Sequence, residues 1–135
     1  MIIAHGDDAP GIEAAEPFRR TLKVLLSPLL HPGLESLAAG FSILPPGGKS
    51  EVHGHPEGEM FFVCSGTGLI RVGDEEGILS PDTAVWGPPE VPHQLINNGS
   101  EILKILWVLC PPGREAAILH SSSQAIYRPQ YKDAK

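Results

Sequence analysis

Residues 47–66 read GGKSEVHGHPEGEMFFVCSG, and this stretch decides the fold. His53 and His55 stand one residue apart, so on an extended segment both project from the same face. Pro56, Glu57 and Gly58 supply turn chemistry directly after them. Glu59–Cys64 then reads as a strand, with Glu59, Phe61 and Val63 on one face and Met60, Phe62 and Cys64 on the other. The turn can fold Glu59 back beside the two histidines. Polar groups placed where a chain enters its own core need a partner there, and an ion is one that three or four of them can share.

His93 follows Pro92 at the start of a further predicted strand. Three imidazoles and one carboxylate converging in a barrel suit a divalent transition metal, with Fe, Mn, Ni and Zn all compatible. Such a set leaves coordination positions open for water, O₂ or a chelating substrate.

Outward from this stretch the chain is punctuated by glycine and proline, 15 and 14 of them, between short apolar runs. Strands are predicted at Met1–Ala4 (a short edge), Arg20–Leu26, Ala39–Leu44, Glu51–His55, Glu59–Cys64, Leu69–Val72, Glu76–Leu79, Thr83–Trp86, His93–Asn97 and Ile102–Cys110. A GDEEG turn and the Asn98-Gly99 dipeptide mark hairpins. A short helix is expected over Arg114–His120, and the tail from Gln124 to Lys135 reads as a surface strand or arm. The pattern is all-β, a sandwich, jelly roll or barrel.

The length of 135 residues fits one domain. A formal charge of −6 without a basic patch argues against nucleic acid and against anionic membrane surfaces. The N-terminus lacks the pattern of a signal peptide, and the longest apolar run is too short to span a bilayer. Cys64 and Cys110 each end an apolar run and form no CxxC pair. Buried free thiols and a reduced, cytoplasmic setting are therefore expected.

The stretch 47–66 resembles the first cupin motif: Gly47, five residues, His53 and His55, three residues, Glu59, six residues, Gly66. PPEVPHQLIN resembles the second, through Pro88, His93 and Asn97. Glu90 stands where the family usually has glycine, and the glycine that opens the second motif is missing. The resemblance spans roughly residues 20–112. It implies a double-stranded β-helix, a jelly-roll barrel, with His53, His55, Glu59 and His93 as metal ligands and Asn97 as a structural turn residue. It also implies a homodimer, as do strands apolar on both faces. Residues 1–19 would form an arm or edge strand, 20–112 the barrel, and 113–135 an extension packed on it.

Phe61, Val63 and Trp107 are expected to line the pocket, and Arg71 would bind an anion there if it pointed inward. Glu57 reads as a solvated turn residue, and His5, His31 and His120 as surface or satisfied histidines. A small-molecule metalloenzyme is the leading expectation. With a pocket poor in other ionisable groups, a dioxygenase-type reaction is favoured; the lack of a second acid/base counts against an isomerase, which must move protons, and a cupin isomerase or decarboxylase is kept as an alternative. A non-enzymatic ligand-binding module is the alternative.

Overall fold

The computed structural model describes residues 1–122. Nine strands are followed by one helix: β1 (Gly11–Ala14), β2 (Arg20–Leu26), β3 (Ala38–Leu44), β4 (Gly58–Ser65), β5 (Gly68–Val72), β6 (Glu75–Leu79), β7 (Ala84–Gly87), β8 (His93–Ile96), β9 (Leu103–Cys110) and α1 (Glu115–Ser122). One sheet runs β1-β2-β3-β9-β4-β7 and the other β6-β5-β8. Every pairing is antiparallel. This is a double-stranded β-helix.

The alternation of β9 explains its place between β3 and β4. Leu103, Ile105, Trp107 and Leu109 are buried, while Lys104, Leu106 and Val108 are half-buried on the outer face. Its inward residues meet Phe61 and Val63 from β4, Ile70 from β5 and Leu95 from β8 in one core. The closing glycine of the 47–66 stretch, Gly66, turns the chain from β4 toward β5 at φ 84°, and a Cβ there would lie 2.3 Å from the Ile102 carbonyl oxygen. Only glycine fits.

Several expectations are corrected. Met1–Ala4 forms no strand; the N-terminal strand is β1, paired with β2. Glu51–His55 is not a regular strand either. It touches β8 through one isolated bridge, His53 to His93, and Lys49 just before it bridges Ile96. Side chains replace the missing ladder: Leu95 N–H donates to Ser50 Oγ (2.8 Å) and Gln94 Nε2 donates to the Ser50 carbonyl (2.9 Å). Both cysteines are exposed rather than buried. A bulge between Val63 and Ser65 disturbs β4 at Cys64, and Cys110 is the last residue of β9. The tail predicted from Gln124 onward lies outside the described residues. Among the described residues, no helix is long and apolar enough to cross a membrane.

Glu90 occupies the position where glycine was expected, and it adopts the left-handed φ of 67° that glycine would take. The backbone conformation of the motif is kept without its usual residue, at a steric cost of about 1–2 kcal/mol. The turn is held because Glu90 N–H donates to the His55 carbonyl at 2.8 Å. Glu90→Gly is expected to raise the unfolding free energy by about 1 kcal/mol in urea denaturation. A loss of stability would show that the glutamate side chain contributes more than its backbone costs.

Candidate metal centre and its cavity

The bridge between His53 and His93 places the two residues opposite one another, with mutual backbone hydrogen bonds of 3.4 and 3.2 Å. Directly opposed residues in an antiparallel pair share a face. The three rings pack as a triangle: His53 to His55 5.7 Å, His53 to His93 5.4 Å and His55 to His93 5.0 Å between centroids. One nitrogen from each lies within 4.8 Å of the others. Glu59 enters from β4, where it is paired with Gly87 and Leu109. Its Oε1 sits 3.0 Å from His55 Nε2 and 3.2 Å from His93 Nε2. The structure thus brings His53, His55, Glu59 and His93 together.

His55 uses both ring nitrogens. Nδ1 faces the Glu57 carbonyl at 2.9 Å and Nε2 faces Glu59. Both partners are acceptors, so the ring satisfies them together only when doubly protonated. Its pKa is accordingly raised, first by the hydrogen bond to Glu59, against the opposing effect of burial. For Glu59, burial acts upward, but the hydrogen bonds from His55 and His93 outweigh it and hold the carboxyl below its usual value. His53 goes the other way. Burial, then the positive charge of Arg114 and the neighbouring imidazoles, depress it to about 4. Near neutral pH it therefore offers a free lone pair.

These residues fit a divalent transition ion. Imidazole nitrogens and a carboxylate are its donors. His53 Nδ1 is buried with no hydrogen-bond partner among the described residues. The carbonyls of Glu57 and Val91 face the Nδ1 atoms of His55 and His93, at 2.9 and 3.3 Å, which favours presenting Nε2 inward.

The cluster opens into a cavity of about 350 Å³. Phe61 and Trp107 line it, and the Phe61 ring stands edge-on to His93 at 5.2 Å. Val63 is fully buried in the core and is not among the lining residues. Arg71 is turned away: its side chain is 54% exposed and pairs with Glu76 across the β5–β6 hairpin at 2.9 Å. Ile70, its neighbour, takes the inward position.

Sequence reasoning missed four groups. Glu57 is not solvated; its side chain is 13% exposed, and Oε2 lies 3.3 Å from His55 Nδ1. It stands behind a candidate ligand as a carboxylate that can orient the ring. Arg20, Glu51 and Arg114 also line the cavity. The pocket is therefore richer in ionisable groups than expected. The patterning of strand ends and loops carries no signal for this, because it depends on how β1 and α1 dock.

A family model described as "Cupin domain" matches residues 40–109, just over half of the 135 residues. The uncharacterized protein MJ1618 of Methanocaldococcus jannaschii is 30% identical over 92 residues, covering 67% of this chain and 73% of its own. Polyketide synthase CurC of Streptomyces cyaneus is 27% identical over 118 residues, covering 84% and 76%. Among solved structures, the polyketide cyclase RemF of Streptomyces resistomycificus superposes with a TM-score of 0.69 at 19% identity, over 84% of this chain and 82% of that one. With the matched family model, the barrel and the histidine cluster in place, this chain belongs to the cupin family.

Proposed function

We propose that this protein is a metal-dependent enzyme acting on a small, enolisable molecule that binds through two oxygens. The observation that carries this reading is the His53–His55–His93 cluster, two of its rings buried and the third half-buried, with Glu59 at one side of a cavity. The ion, one of Fe, Mn, Ni or Zn, would be held by His53, His55, His93 and Glu59. When bound, it supplies Lewis-acid stabilisation of a developing enolate oxygen. The chain's own residues do the rest. Phe61 and Trp107 give a flat apolar wall that orients a planar enone or ring and excludes water. Glu51, which lines the cavity, is the carboxylate placed to accept a proton. The polyketide chemistry named for two of the similar proteins concerns this kind of substrate, poly-β-ketones with acidic C–H bonds.

A dioxygenase-type reaction is the second reading, favoured by the nitrogen-rich donor set and the aromatic wall. A pocket without a group able to move a proton would favour it, but Glu51 lines the cavity and supplies one, while Arg20 and Arg114 stay charged and serve to bind anions. The two separate on 2,4-pentanedione with metal-loaded protein. Deuterium exchange at its central carbon above the background rate, without oxygen uptake, is the expected result. Stoichiometric oxygen uptake would support the dioxygenase instead. Tight binding with neither would reduce the protein to a ligand-binding module.

A further inference from the structure

The wall of the cavity has two origins. His53, His55, Glu59, Phe61, His93 and Trp107 fall within residues 40–109, the part matched by the family model. Arg20, at the start of β2, and Arg114, just before α1, lie outside it.

Arg20 is only 9% exposed. Its Nη1 donates to the Phe18 carbonyl at 2.9 Å. Neither guanidinium has a carboxylate within ion-pairing distance among the described residues. The acids nearby are spent elsewhere. Glu115 accepts from Ser27 Oγ at 2.7 Å and from Gly113 N–H, and Glu57 and Glu59 both face His55. Glu51 also lines the cavity and attracts Arg20, while Arg114 repels it. A chain with a formal charge of −6 has therefore placed two like-charged guanidiniums on one partly desolvated cavity. Burying the Arg20 charge beside a like charge and without a carboxylate partner is costly, and an anion that enters the cavity removes the cost, with the exposed Arg114 adding its positive charge at the opening. The planar guanidinium fork matches a carboxylate in two parallel hydrogen bonds.

We propose that Arg20 and Arg114 form a carboxylate-binding subsite, so that the substrate is a small organic acid whose other oxygens reach the histidine cluster. This deepens the reading above and rests on it for the second point of attachment only. A cavity of about 350 Å³ holds the acid to small-molecule size. Ile12 from β1 and Ile118 from α1 flank the same opening and would contact its apolar part.

The test is calorimetric titration of the metal-loaded full chain with 2,4-dioxopentanoate, its methyl ester and inorganic phosphate. The acid is expected to bind at least about tenfold tighter than the ester, as loss of a charge-assisted hydrogen bond predicts. Arg114→Gln and Arg20→Gln are each expected to erase most of that preference while metal content stays at the wild-type level. Arg114 is exposed, so its variant keeps the test open if burial makes Arg20→Gln unstable; Arg20→Lys, which keeps the charge and loses the fork, gives a second check. An acid-over-ester preference that survives in the arginine variants overturns the proposal, as does phosphate binding as tightly as the acid. Repeating the series on metal-stripped protein separates the two readings. An arginine-dependent preference for the acid that persists there, in a protein that takes up no metal, would sink the metal reading and leave the subsite standing.

Discussion

Replacing His53 with alanine is expected to lower the affinity for Zn(II) or Co(II) by more than about a hundredfold, without unfolding the chain. His53 is the cleanest ligand to remove. Its Nδ1 makes no hydrogen bond among the described residues, so the variant orphans no partner of that nitrogen. Glu59→Gln also removes a proposed ligand, so affinity should fall at every pH, and it should in addition move the pH dependence. It removes the charge that favours the protonated form of His55, so the pKa of His55 falls back from its raised position. An ion can bind His55 only after that proton leaves. Wild-type affinity should therefore be full above the raised pKa of His55 and fall as the pH drops through it. In Glu59→Gln the same fall should begin at lower pH. Calorimetric titrations across pH 5–8 check both statements. A His53→Ala protein with undiminished affinity would remove His53 from the ligand set.

Asn97→Ala is expected to cost about 3 kcal/mol of stability, a large effect for a polar residue outside the cluster. Asn97 is 1% exposed. Its Nδ2 donates to the carbonyls of Leu44 at 2.9 Å and Glu101 at 2.8 Å, and its Oδ1 accepts from Gly99 N–H at 3.0 Å. One side chain thereby ties the end of β3 to the turn between β8 and β9. Alanine leaves two carbonyls and one N–H without their partner, each worth about 1 kcal/mol. Asn97→Asp should be no better, because an ionised carboxylate donates to neither carbonyl. Urea denaturation reads the loss; a change below about 1 kcal/mol would mean that water replaces the side chain freely. The backbone of Asn97 also pairs with Gly47 and Gly48. Some weakening of metal binding should follow, smaller than that of His53→Ala.

The fold was legible because its signals are local. β2, β4 and β9 show as apolar runs bounded by proline and glycine, and the HxH, Glu59 and His93 spacing marks converging polar side chains. What was illegible depends on docking. Leu69 and Ile70 are both apolar, so composition alone does not say whether Arg71 turns inward; pairing with Glu76 decides it. Segment 51–55 carries strand-like residues, yet Ser50 Oγ takes the Leu95 N–H that a ladder would use. Glu57 sits in a turn that alone would be solvated. It is covered because the approach of Gly113 closes over it, so near that a Cβ there would collide with the Glu57 carboxylate. Arg20 and Arg114 become cavity residues together only when α1 is placed against β2, and no periodicity announces that.

The central claim is that His53, His55, Glu59 and His93 jointly bind one ion inside the barrel. Anomalous diffraction from crystals grown with Co(II) or Zn(II), collected on either side of the metal absorption edge, tests it most directly. The account predicts a single strong peak inside the triangle of imidazoles, within bonding distance of Glu59. A peak elsewhere, or none at saturating metal, would contradict it.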